Sequence, residues 1–162
     1  DADMIIRPAT TDDAAHIVAI WNPLIETTAT TFTTQLKDIA GIQASITERA
    51  GAFWVAVVEG DIVGFATYFQ FRGGPGYART MEHSINLAPA ARGHGAGRGL
   101  MQALENHAKS AGVHSLWAGI NAENESGIAF HAAIGFTKSG HLPEVGFKWG
   151  QRLDLVLMQK TL

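Results

Sequence analysis

The 162-residue chain contains no cysteine. That excludes a disulfide framework, a thiolate metal site and a cysteine nucleophile. Charge is sparse as well, at 17% of residues where soluble domains average about 25%. Twelve Lys and Arg stand against fifteen Asp and Glu, for a net charge of −3. There is therefore no broad basic face of the kind that nucleic acid or an anionic membrane selects. No apolar run approaches the ~18 residues of a membrane span, and no basic segment leads into an apolar export signal. The seven histidines form no His-Glu-x-x-His or other close pair, so no metal site is expected. Internal repeats, charge blocks and a Gly-x-Ser-x-Gly nucleophile elbow are also missing. Asp1-Ala2-Asp3 reads as an appended remnant before a natural start at Met4. The expectation is one cytoplasmic domain over residues 4–162.

What the chain does have is glycine, 18 residues of it, and a local reversal of charge. From Arg72 to Arg98 there are four arginines (72, 79, 92 and 98) and a single acid, Glu82, so this window is +3. That is room for one small anion-binding site.

Periodicity places the elements around this window. Met4–Arg7 predicts a strand, and Thr10 with Asp13 a capping box ahead of a helix bearing Ile17, Ile20, Trp21, Leu24 and Ile25. Six threonines between Thr27 and Thr34 predict a loop. Asp38 caps a second helix with Ile39, Ile42 and Ile46 on one face. Strands are expected over Phe53–Val58 and Ile62–Phe71, joined by a tight turn at Glu59-Gly60-Asp61. Thr80–Leu87 alternates, with Met81, His83, Ile85 and Leu87 on one face and Glu82, Ser84 and Asn86 on the other. A helix from the glycine-rich turn to Gly112, a strand over Ser115–Asn121, a short helix over Glu125–Ile134 and strands near Phe136–Val145 and Leu153–Gln159 complete the chain. The pattern is α+β, a mixed and mostly antiparallel sheet with helices on both faces.

The turn Ala91-Arg92-Gly93-His94-Gly95-Ala96-Gly97-Arg98-Gly99 lies between a strand and a helix. Glycines let successive backbone N–H groups converge on an anion, and the helix adds the positive end of its dipole. The spacing lacks the Gly-Lys-Ser/Thr of a P-loop and fails the Gly-x-Gly-x-x-Gly of a dinucleotide fold. Arg92-x-x-Gly95-x-Gly97 instead resembles the Q/R-x-x-G-x-G/A signature of GCN5-related N-acetyltransferases (GNAT). Thr80-Met81-Glu82-His83-Ser84-Ile85, the stretch Asn124–Phe136, Val145-Gly146-Phe147-Lys148 and the threonine loop through Phe32 resemble the phosphinothricin/methionine sulfoximine branch of that family.

The resemblance implies a GNAT fold, acetyl-CoA as co-substrate and a small amine acceptor. It implies that Ile85, Asn86 and Leu87 pair with the pantetheine arm, that Arg92, Gly93, His94, Gly95, Ala96, Gly97 and Arg98 surround the pyrophosphate, and that Asn124 meets the distal CoA arm. Two departures stand out: Asn86 where the branch often has tyrosine, and Gly127 where serine is common. Glu82 matches the branch's proposed general base, with simple pairing to Arg79 or Arg72 as the alternative. Its unperturbed pKa of about 4.3 would need burial to raise it. His131, four residues before Gly135, stands where many members carry a thiolate-protonating tyrosine. It is either a proton donor or a packed core residue. His83, on the apolar face, reads as structural.

For the acceptor, Arg72 and Arg79 bracket the loop with Gly73 and Tyr77, and either guanidinium suits a carboxylate or phosphinate. Phe32, Tyr77 and Thr80 are candidate walls, and the branch places Lys148 near the site. The branch also implies a homodimer, with Trp149 and the late strands as its seam. Competing functions are acetylation of a peptide N-terminus or polyamine, and a non-catalytic acyl-CoA-binding module.

Overall fold

The structure is a computed structural model and describes residues 4–162. The remnant proposed for residues 1–3 lies outside the described residues. Eleven main elements follow one another: β1 (Met4–Pro8), α1 (Ala14–Thr27), α2 (Ile39–Glu48), β2 (Phe53–Val58), β3 (Asp61–Gln70), β4 (Thr80–Leu87), α3 (Ala96–Ser110), β5 (Ser115–Asn121), α4 (Glu125–Ala133), β6 (Thr137–Lys148) and β7 (Gln151–Thr161). The strands form one seven-stranded sheet in the order β1-β2-β3-β4-β5-β7-β6. β4 and β5, linked through α3, pair in parallel, and every other pairing is antiparallel.

Local chemistry sets the ends of these elements. Thr10 and Asp13 form the expected capping box in a single 3-10 turn before α1. Asp38 accepts a 2.6 Å hydrogen bond from Gly41 N at the start of α2. Helices cover both faces of the sheet. Ile17 and Ile20 of α1 and Ile42 and Ile46 of α2 pack with Phe53, Val55 and Phe65 on one side. Leu100, Met101, Leu104 and Ala108 of α3 join Trp54, Ala66 and Leu116 on the other. Ile39, expected on the buried stripe of α2, is instead 48% exposed at the first helical position.

The largest difference from the sequence expectation is at the end of the chain. β6 runs on to Lys148, so Val145-Gly146-Phe147-Lys148 is strand. The ladder is irregular between Leu142 and Gly146, where Glu144 has a φ of 55°. This bulge breaks the alternation by which the strand would have been recognised. Trp149 and Gly150, both with positive φ, close the two-residue turn into β7.

Candidate active site

β4 pairs with β5 only over Thr80–Glu82 and Ser115–Trp117. Beyond Glu82 the two parallel strands part, while β4 stays bonded to β3 as far as Leu87 and β5 to β7 as far as Asn121. The wedge leaves one edge of β4 without a neighbouring strand, so its outward N–H and C=O groups are available for a ligand to pair with. A cavity of about 270 Å³ occupies the opening. Its walls come from Glu82 to Asn86 of β4, Gly119 to Asn121 of β5, Asn124 and His131 beside and on α4, Leu155 of β7, Trp21 of α1, and residues 30–33 and Lys37 of the α1–α2 connection.

Glu82 is half-buried, and burial pushes its carboxyl above its ordinary value. It forms no ion pair among the described residues, so the pairing with Arg72 or Arg79 left open above is not made. Its Oε2 lies 3.6 Å from where a Cβ on Gly119 would stand, and that glycine keeps the wall opposite the carboxylate thin.

The glycine-rich turn opens α3 at one end of the wedge. Gly93 and Gly95 have φ of +79° and +71° with open space around them. The first intrahelical bond runs from Gly99 N to Gly95 O at 3.0 Å. The amides of Ala96, Gly97 and Arg98 therefore have no acceptor within the helix. Arg92 and Arg98 are exposed on either side of them. Gly97 has a different reason to be glycine, because a Cβ there would sit 3.0 Å from the Phe130 ring. The cradle fits a diphosphate by charge and by donor count.

Asn124 caps α4, with Oδ1 accepting from Gly127 N at 3.0 Å. A Cβ on residue 127 would stand 2.6 Å from Asn124 Nδ2. Glycine in place of the branch's serine thus accommodates the cap.

His131 and His83 meet Nε2 to Nε2 at 2.9 Å. His131 Nδ1 lies 2.8 Å from the Gly127 carbonyl, which only accepts, so Nδ1 carries the proton. The neutral ring then presents a lone pair at Nε2, and His83 Nε2–H donates to it. Burial holds both rings below the ordinary imidazole range, His83 down to about 3. His83 Nδ1 makes no hydrogen bond of good geometry, although the Trp117 backbone is near enough to favour a proton on the ring. Both nitrogens of His131 are engaged, which supports the packed reading of this residue.

Of the acceptor residues suggested by sequence, Phe32 lines the cavity. Arg72, Gly73, Tyr77 and Arg79 are exposed on the loop between β3 and β4, outside the cavity wall, with the Arg72 guanidinium 5.7 Å from the Tyr77 ring centre. Thr80, which pairs with Ser115, is not among the residues that line the cavity. Lys148 is 2% exposed, and its Nζ donates to the carbonyls of Ile25 (2.8 Å), Thr28 (2.7 Å) and Thr31 (2.8 Å). It clamps the threonine loop from behind and does not line the cavity. Asn121 helps from the front, with Nδ2 donating 2.8 Å to Ala29 O. Gly146 allows the loop to close, since a Cβ there would collide with the Phe32 ring. Trp21, Lys37, Asn121 and Leu155 are cavity residues that sequence reasoning missed. Each is brought in by tertiary packing, and none belongs to a local motif.

A carboxylate raised by burial thus sits in a wedge with an open strand edge, and a turn of glycines, free helix amides and two arginines opens α3. A family model described as Acetyltransferase (GNAT) family matches residues 18–136. The chain belongs to the GNAT acetyltransferase family. It is 35% identical over 161 residues to the L-methionine sulfoximine/L-methionine sulfone acetyltransferase of Pseudomonas aeruginosa, covering 97% of this chain and 94% of that protein. A solved phosphinothricin acetyltransferase of Sinorhizobium meliloti in complex with acetyl-CoA superposes with a TM-score of 0.91 at 30% identity, covering 99% and 89% of the two chains. A Brucella melitensis structure described as a ribosomal-protein-alanine N-acetyltransferase gives 0.92 at 38% identity, covering 98% and 99%. The sheet with helices on both faces is the GNAT fold, and the protein is an acetyl-CoA-dependent N-acetyltransferase. Among the described residues no helix is long and apolar enough to cross a membrane, and no group of three or more His, Asp or Glu is placed to hold a metal ion.

Proposed function

We propose that this GNAT acetyltransferase acetylates the amine of a small amino-acid-like acceptor of the phosphinothricin or methionine sulfoximine type, with Glu82 as general base. The observation that carries the proposal is Glu82 itself: half-buried in the cavity wall, without an ion pair among the described residues, and raised by burial toward the range where a carboxylate takes protons effectively. Acetyl-CoA, when bound, supplies the activated acetyl thioester. The amides and arginines of residues 92–98 hold its diphosphate, the free edge of β4 at Ile85–Leu87 holds its pantetheine arm, and Asn124 borders the distal arm. Glu82 accepts the proton that the acceptor's ammonium must lose before its nitrogen attacks. The new N–C bond forms as the C–S bond breaks. The attacking nitrogen sheds its second proton as the amide forms, and water relays that proton to the departing thiolate, since neither nitrogen of His131 has a free proton to give. Phe32 and the threonine loop close the acceptor side, with Lys148 as the clamp behind them.

The similarity to the Pseudomonas and Sinorhizobium enzymes supports this acceptor class. The Brucella relative, described as acting on a ribosomal-protein alanine, keeps the peptide N-terminus as the competing acceptor. Residues 4–162 are read as a single catalytic domain acting in the cytoplasm. A homodimer is supported by Val145 and Phe147 of the outer strand and Trp149 of the turn after it, exposed at 57%, 61% and 57%. The decisive experiment is CoA release from acetyl-CoA against methionine sulfoximine, phosphinothricin, alanyl peptides and polyamines. Turnover with the amino-acid analogues is expected. Preference for the peptides would replace the acceptor, and acetyl-CoA binding without turnover on any amine would replace the enzyme reading with a binding module.

A further inference from the structure

We propose that Lys37 anchors the acid group of the acceptor and thereby selects an amino acid over a simple amine. The inference rests on reading the Glu82 cavity as the acetylation site. Lys37 is the one Lys or Arg among the residues lining that cavity. Its position is fixed by α1: Asn22 Oδ1 accepts from Lys37 N at 2.9 Å, and Asn22 Nδ2 donates to Lys37 O at 3.0 Å. Its Nζ rests 4.6 Å from the centre of the Trp21 ring, and Trp21 packs on Phe65 at 4.8 Å between centroids. Trp21 thus gives the ammonium a rigid seat.

That ammonium has no carboxylate partner among the described residues. Its neighbour Asp38 is committed to capping α2 and lies outside the cavity wall. Thr31, in the same wall, has a buried Oγ1 with no hydrogen-bond partner. An unmatched ammonium and an unmatched hydroxyl donor share one complementary chemistry, an anionic oxygen such as a carboxylate or phosphinate. Glu82 supplies the opposite charge in the same cavity. A zwitterion fits the pair, its ammonium toward Glu82 and its acid toward Lys37. The diphosphate of acetyl-CoA makes no claim on Lys37, because its cradle opens α3 on the other side of the sheet.

The test compares L-methionine sulfoximine with its α-carboxamide as acceptors for the wild type, Lys37→Gln and Lys37→Arg. The wild type is expected to prefer the acid at least tenfold in kcat/KM. Lys37→Gln should raise the KM for the acid about tenfold or more, with a smaller effect on kcat, and reduce the acid-to-amide preference to near unity. Lys37→Arg should restore most of that preference. An unchanged preference in Lys37→Gln, an equal KM rise for acid and amide, or a shift in acetyl-CoA KM instead would each overturn the assignment. A wild type that uses acid and amide equally would overturn the anchor while leaving the acetylation site intact. A wild type that uses neither, while acetylating another amine, would overturn both the anchor and the acceptor class.

Discussion

His83 Nε2 lies 2.9 Å from His131 Nε2, and the bond joins the middle of β4 to α4 across the inner end of the wedge. Two imidazoles at this distance share one proton between facing nitrogens, so adding a second proton sets charge against a buried, desolvated partner. The pair ties the strand that carries Glu82 to the helix that Asn124 caps.

The pair gives stability a pH dependence. His83 is held at about 3 in the fold against 6.5 for a free imidazole, so between these values the unfolded chain binds more protons. Stability from this residue is fully present above about pH 6.5 and is lost as pH falls toward 3. Linkage gives a loss of about 2 kcal/mol between pH 7 and pH 5. Urea unfolding at the two pH values should show it, and His83→Gln should remove most of the difference. An equally steep dependence in the variant would show that other groups carry it.

Glu82→Gln removes the proposed base and leaves the glycine-rich turn intact. Turnover should fall by about 100-fold or more, with the acetyl-CoA KM within about twofold of the wild type. Because burial raises the Glu82 pKa, the acidic limb of the wild-type kcat/KM profile should lie above the ordinary carboxylate range. Activity is lost as pH falls through it. A variant with the same profile and rate would remove Glu82 as base.

Lys148→Met should destabilise the fold by about 2–4 kcal/mol, because three carbonyls lose a charged donor that is itself buried. The acceptor KM should rise as the threonine loop loosens. A change in unfolding free energy below about 0.5 kcal/mol would contradict the clamp.

Gly127→Ser would restore the residue common in the branch, yet its Cβ would stand 2.6 Å from Asn124 Nδ2. The cap must then move, so the variant should lose about 1 kcal/mol and bind acetyl-CoA more weakly. Unchanged stability with tighter binding would mean that the serine hydroxyl is accommodated after all.

Much of this was legible in the sequence because it depends on near neighbours. The Thr10–Asp13 capping box, the Asp38 cap, the alternation that puts Glu82 opposite His83, and the glycines of the turn are decided within a few residues. The full length of β6 is not legible, because a bulge at Glu144 hides its period. Arg72 and Arg79 are near Glu82 in sequence but lie outside the cavity wall, whereas the fold brings Lys37 into that wall from the α1–α2 connection.

The sequence by itself determined most of the elements, the glycine-rich turn with its two arginines and the lone carboxylate of the basic window, since each is written in local spacing and charge. Only the tertiary structure decided which groups share the cavity. The parting of β4 and β5 after Glu82, the clamp from Lys148 to residues 25–31 and the Asn22–Lys37 pair all join segments distant in sequence. Long-range packing and the need to satisfy buried carbonyls and amides fix such contacts, and no periodicity records them.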